Sequence, residues 1–304
     1  MPSDVLLHTV QEFIGVMRKT FRLLNGHIFV ASIIMFGSLV AYFLNKYKQM
    51  MKRKVGRSSA KFYSTPSFEK EEMCREMAFT TTNYIHAVLS SCFAVYIFVN
   101  EYWQHQVNNS VNGMHENDFF MSYSDNISNL MSFTLGYLVV DLFCYLFVVT
   151  LQKDNISNAI FHALIVVAFS LYFVNGTGAI PGLFGEVSEI ATIFVGQETL
   201  IEAFIENYES KTYYMVHNVA VTFFFIITRG CMSMFLAIQL VGNVSNLWNI
   251  ISTTSVGIGA IISVQVILMT MLNLMNFVYT YQCCFNTYAT YNNYKTSKLS
   301  KHKD

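Results

Sequence analysis

The chain has 304 residues, of which 53% are hydrophobic and 12% charged, and its 19 basic side chains balance 19 acidic ones. A soluble domain carries about 25% charged residues, so this composition excludes an ordinary soluble globule, and zero net charge removes any global electrostatic case for nucleic acid. The six cysteines (Cys74, Cys92, Cys144, Cys231, Cys283 and Cys284) form no Cys-x-x-Cys pair, so neither a zinc site nor a disulfide framework is expected, and no cofactor is called for.

Residues 1–24 place Val5, Leu6, Val10, Phe13, Ile14, Met17 and Phe21 at helical spacing and carry Arg18, Lys19 and Arg22 near their end. That pattern predicts an amphipathic helix lying in the membrane interface. Asp4 and Glu12, with no compact apolar core, argue against a signal peptide. Seven stretches then approach the roughly 20 apolar residues that a bilayer core requires: 27–45, 82–100, 129–151, 156–175, 188–206, 214–241 and 252–282. The expected fold is an all-α polytopic membrane helix bundle, with an anchor helix and basic loop over 25–81, a membrane domain over 82–282 and a polar tail over 283–304. The seventh stretch is long enough to be tilted, kinked or to project beyond the lipid.

The basic residues sort by side. They crowd the first loop, recur at Lys153 and Lys211, and close the tail at Lys295, Lys298, Lys301 and Lys303; the loops 101–128, 176–187 and 242–251 have none. The positive-inside rule puts the basic loops on the cytosolic side, or on the matrix side in a mitochondrion. The segment "NKYKQMMKRKVGRSSAK" holds seven positive charges and no acid. One reading makes Lys52, Arg53, Lys54 and Arg57 a surface for anionic lipid, each worth about 1 kcal/mol near the headgroups; the alternative is that the segment is only a topology determinant. Asn108 and Asn126 sit in glycosylation sequons on the non-basic side, Asn126 close to a span. Cys283–Cys284 is a pair that acylation can reach, although two unmodified thiols are the simpler reading.

Ionisable groups at mid-span cost at least about 2.5–3.5 kcal/mol each, so they face a protein interior or a cavity. Here they are His86, Asp141, His162, Glu189, Glu198, Glu202, Glu206, His217 and Arg229, with Asn273 and Asn276 one turn apart in the last span. The span boundaries put Asp141, Glu198 and Arg229 near mid-membrane, and His86, His162, Glu202, Asn273 and Asn276 in the inner half. Glu198, Glu202 and Glu206 share one helix face. One polar cavity open to the inner side is the economical expectation. Competing readings are an ion pair of Arg229 with Asp141 or Glu198, interhelical bonding by the two asparagines, and close helix packing at Ser255, Gly259 and Ser263.

Several segments resemble the TLC-domain family, which includes ceramide synthases and translocation-associated membrane proteins. "TTNYIHAVLSS" is similar to the family's first domain helix. "TLGYLVVDLFCYL" resembles its Gly-Tyr-x-x-x-Asp helix, which singles out Tyr137 and Asp141. "NAIFHALIVV" resembles its His-His helix, with Phe161-His162 in place of the pair. "SEIATIFV" resembles its Glu-x-Ser-Thr segment at Glu189, "VTFFFIITRGCMSMF" the aromatic run before an arginine, and "MLNLMNFVYTYQ" the closing helix. The family's further His-Asp signature is absent. The resemblance therefore implies a lipid-handling member without ceramide synthase activity, its lipid site drawn from His86, Tyr137, Asp141, His162, Glu198, Glu202, Arg229, Asn273 and Asn276. If the chain is an enzyme, it is an acyl-CoA-dependent lipid acyltransferase with His162 as base, Asp141 or Glu202 as its orienter and Arg229 as a clamp for an anionic group. A third reading is a structural subunit among other integral membrane subunits of a large respiratory or ATP-synthase assembly. The resemblance points to the endoplasmic reticulum; the basic amphipathic N-terminus keeps the mitochondrial inner membrane as the alternative.

Overall fold

The computed structural model describes residue 15 and residues 23–52, 67–103, 124–148, 153–204 and 212–300. Among the described residues the chain is helical, with no strand, and seven helices are long and apolar enough to cross a membrane. The order is α1 (Gly26–Lys52), α2 (Ser67–Ile97), α3 (Asp125–Phe147), α4 (Lys153–Asn175), α5 (Ala179–Phe204), α6 (Thr212–Phe225), α7 (Met232–Gly242), α8 (Val244–Thr253) and α9 (Val256–Ser300). Two π-helical turns, Phe98–Trp103 and Ile226–Cys231, extend α2 and join α6 to α7 as one span. Backbone groups in lipid must bond within their own segment, so helices are the expected solution. Large apolar side chains such as Phe143, Phe147, Val167, Phe223 and Ile238 stay exposed because their surroundings are lipid.

All seven expected spans occur, with shifted ends. The second begins at Glu71, because α2 continues through the charged segment around Met73 as one helix. The fifth begins at Ala179, since the turn after α4 is only Gly176–Gly178. Gly176 and Gly178 have φ of 76° and 86°, the left-handed region that glycine enters without a Cβ penalty. The expected loop 242–251 contains α8, with Trp248 exposed, and Gly259 lets α9 pass α8 closely: a Cβ there would stand 2.8 Å from the Ile251 carbonyl oxygen. Of the open choices for the last span, projection is the one realised. α9 runs 45 residues as α-helix, about 68 Å, well past a hydrocarbon core, and takes in most of the expected tail.

The first helix is more than an anchor. α1 packs along both α2 and α3. Phe36 is fully buried and meets His86, Phe133 and Tyr137 edge-on at centroid distances of 5.6, 5.4 and 5.0 Å. The close approach depends on Gly136, where a Cβ would stand 2.6 Å from the Phe29 carbonyl oxygen and 2.7 Å from Ser32 Cβ. Ser32 uses that proximity to donate to the Phe133 carbonyl at 2.6 Å. The most extensive contact in the bundle is α2 against α5, along the small face Ala87, Ser90, Ser91 and Ala94. The expected interfacial helix, apart from Gly15 and residues 23 and 24, lies outside the described residues, as do Arg53, Lys54, Arg57, Asn108, Glu206 and the side chains of Lys52 and Glu202.

Candidate functional site

Tyr137 and Asp141, one turn apart on α3, face the bundle interior. Tyr137 donates its hydroxyl to Asp141 Oδ1 at 2.7 Å, and His162, reaching across from α4, bonds Asp141 Oδ2 through Nδ1. Asp141 is 1% exposed, so these bonds replace its lost water. With Nδ1 turned to the carboxylate, a neutral His162 carries its proton there and keeps a lone pair on Nε2. The second histidine, His86 on α2, stacks flat on Tyr137 at 3.7 Å and 8°, and its Nε2 lies 3.4 Å from Thr134 Oγ1. Three helices thus hold one continuous group: His86, Tyr137, Asp141, His162.

A second polar group lies on the opposite wall. The π-helical turn Ile226–Cys231 presents Arg229 inward, where Thr228 bonds back to the Phe224 carbonyl at 2.8 Å. Turns of this kind recur at functional sites because they re-aim side chains within a helix. The guanidinium donates to Thr192 Oγ1 at 2.9 Å and to Asn276 Oδ1 at 3.4 Å, and stands 3.8 Å from Glu189 Oε1 and 5.1 Å from the centre of the Phe225 ring. The ion-pair partner of Arg229 is therefore Glu189, not Asp141 or Glu198. Asn273 donates to the Ser233 carbonyl at 2.9 Å, so both asparagines bond helices together while lining a cavity. His217 is a helix bridge, with Nε2 3.1 Å from the Phe194 carbonyl oxygen.

The single expected cavity is two that meet. A vestibule of about 630 Å3 is lined by Thr192, Glu198, Asn218 and Arg229, with exposed Asn158, Gln282 and Asn286 on its rim. Its rim residues lie toward the start of α4 and the end of α9, the same end of the bundle as Lys46, Lys48 and Lys295. Beyond it lies a smaller, mostly apolar chamber of about 110 Å3, walled by Met131, Phe169, Tyr172, Phe184, Met232 and Met269. Asn83, Phe161, His162 and Glu189 line both, so they form the waist. His86, Tyr137, Asn273 and Asn276 belong to the chamber; Glu198 and Arg229 belong to the vestibule; Asp141 stands behind His162 and Tyr137 and lines neither.

Two expected depths are corrected. His86 stacks on Tyr137, which lies at the middle of α3, so it sits at mid-span and not in the inner half. Because the fifth starts at Ala179, Glu198 falls at its inner end and Glu189 at mid-span beside Arg229. Sequence reasoning missed Glu186, which is buried beside the hydroxyls of Thr134 and Ser90 and lines the chamber. Its signal was its place three residues before Glu189, hidden because 176–187 read as a loop. Among the described residues no group of three or more His, Cys, Asp or Glu side chains is arranged to hold a metal ion.

The family model for the TLC domain matches residues 78–292, from the fourth turn of α2 through most of α9. The chain belongs to the TLC-domain family. The matched region holds every residue of both polar groups, whereas α1, which supplies Phe36 to the wall behind Tyr137, precedes it. No curated protein and no solved structure matched the chain. Family membership and seven apolar helices make this an integral membrane protein with a lipid-related function.

Proposed function

We propose that this TLC-domain protein binds a membrane lipid, phospholipid or sphingolipid, and acts in lipid homeostasis at the endoplasmic reticulum, with the polar head in the vestibule and an alkyl chain in the chamber. The observation that carries the reading is the waist. A polar, rim-exposed vestibule and a smaller, mostly apolar chamber share His162 and Glu189. An amphipathic ligand is the one whose two ends match that sequence of surfaces. Arg229, Asn218 and Gln282 offer donors to a head group. Apolar cavities of about 150 Å3 stay dry and take up benzene; a 110 Å3 chamber walled by three methionines suits part of an alkyl chain, with room made by methionine flexibility.

The test is purification in mild detergent, native mass, and quantification of bound lipid in the native chain and in Phe169→Trp, which fills the chamber. One enriched lipid class on the native chain, reduced in Phe169→Trp but not in the lipid-facing control Val167→Trp, supports the reading. Bulk membrane composition in all three contradicts it. A stoichiometric protein partner in the same preparation would move the account to a subunit of a larger assembly.

A second reading is acyl transfer from acyl-CoA to a lipid nucleophile, and it is favoured by the Asp141–His162 bond. His162 Nε2 would take the proton of an attacking O–H or N–H as that atom bonds the thioester carbonyl carbon. The C–S bond then breaks, and the thiolate receives the proton to leave as coenzyme A. Asp141 would stabilise the imidazolium between those two events. A lipid product lost in His162→Ala with the fold intact supports this reading; unchanged product levels remove it.

A further inference from the structure

We propose that the chamber recognises a hydroxyl group, so that the lipid bound there carries a hydroxyl on its chain within a few carbons of the polar end. The inference rests on the lipid-site reading above and adds the chemistry of the buried segment. A chamber for a plain alkyl chain needs no polar wall. This one has two buried polar atoms on its wall without a hydrogen bond of good geometry, Glu186 Oε2 and His86 Nδ1, and Ser90 Oγ, also without one, stands beside Glu186 just outside the lining. Glu186 is 2% exposed, His86 2% and Ser90 0%. His86 and Ser90 lie one turn apart on α2, and Glu186 faces that turn from α5, beside the hydroxyls of Ser90 and Thr134. Glu186 and His86 both line the chamber. A buried polar atom left unpaired costs about 1–3 kcal/mol, and nearly all such atoms in folded proteins find a partner.

A hydroxyl fits this set better than other groups. It donates and accepts at once, so it can satisfy a carboxyl and an imidazole nitrogen together in either protonation state of each. A carboxylate or phosphate would face Glu186. Position follows from the helix: Glu186 is three residues outward of Glu189, about 4.5 Å along α5, and Glu189 lies at the waist beside Arg229. A head group held at the waist therefore brings only its nearest few chain carbons to Glu186.

The experiment titrates palmitate, 3-hydroxypalmitate, 16-hydroxypalmitate and hexadecylamine into the purified full chain in detergent micelles. The native protein should bind 3-hydroxypalmitate about five- to tenfold more tightly than palmitate, and 16-hydroxypalmitate no better than palmitate. The preference should fall below about twofold in Glu186→Leu and in Ser90→Ala, and persist in Glu186→Gln, whose amide still donates and accepts. Ser90→Ala keeps the comparison usable if Glu186→Leu fails to fold. Equal affinity for palmitate and its 3-hydroxy form, or a preference that survives both Glu186→Leu and Ser90→Ala, overturns the hydroxyl assignment alone. Tighter binding of hexadecylamine than of 3-hydroxypalmitate overturns it in favour of a cation. No binding of any probe overturns the lipid-site reading with it.

Discussion

Tyr137→Phe removes one oxygen atom and leaves the stacked ring in place, so its effect isolates a single hydrogen bond. That bond runs 2.7 Å to Asp141 Oδ1, and both residues are buried, Tyr137 at 3% and Asp141 at 1% exposure. A hydrogen bond to a charged acceptor contributes about 1.5–3 kcal/mol. Water cannot replace it, because His86 covers one face of the ring and Phe36 meets it edge-on. A loss of about 2 kcal/mol corresponds to a fall of about 3 °C in Tm, at about 2.1 cal/mol/K of unfolding entropy per residue. In Asp141→Asn the acceptor is neutral, and the same tyrosine change should then cost about 1 kcal/mol, so the two changes couple by about 1 kcal/mol or more. The assay is thermal unfolding in one detergent, read by loss of the monodisperse peak, for the native chain, both single variants and the double variant. Additive effects, or a Tyr137→Phe loss under about 0.5 kcal/mol, would refute a buried carboxylate held by this hydroxyl.

Further expectations follow from the same contacts. Gly136→Val should lower stability by about 3 kcal/mol or more through overpacking against α1, whereas Gly37→Ala, with nothing within 4 Å of its Cβ, should raise it by about 0.5–1 kcal/mol; thermal unfolding compares the two. Arg229→Lys keeps the charge but cannot bond Thr192 and Asn276 together as the guanidinium fork does, so bound lipid should fall severalfold with little change in expression. Asn126→Gln should leave gel mobility unchanged: Asn126 is the second residue of α3 and donates to Glu101 Oε1 at 2.5 Å, so its sequon stays unmodified. Cys283 lines the vestibule and Cys92 faces outward into lipid; an impermeant maleimide added from the basic side should label Cys283 and spare Cys92, and labelling from the opposite side only would reverse the assigned orientation.

The spans were legible because crossing a bilayer imposes one length and one composition on every segment. Their ends were not, because charge does not stop a helix once it leaves the lipid: α2 starts well before the apolar run and α9 ends well after it. The polar core was legible for a related reason. Ionisable side chains are so costly in hydrocarbon that Asp141, His162 and Arg229 had to face inward, and Tyr137 came with Asp141 on one helix face. Pairing was not legible. Sequence position gives depth along a helix but not which neighbour it turns toward, and an error of several residues in one span start was enough to offer Arg229 the wrong acid. Phe36 carried no signal either, since an aromatic in an apolar span looks the same facing lipid or core. Glu186 was lost in a glycine-containing stretch that reads as loop until the short turn at Gly176–Gly178 is known.

The central claim is that one amphipathic ligand runs from the vestibule through the waist into the chamber. Photo-crosslinking of the purified chain with a fatty acid carrying a diazirine on its chain tests it directly. The account predicts adducts on chamber residues such as Met131, Phe169 and Met269, abolished by Phe169→Trp. Adducts confined to lipid-facing residues such as Val167, Phe223 and Ile238, unchanged in that variant, would contradict it.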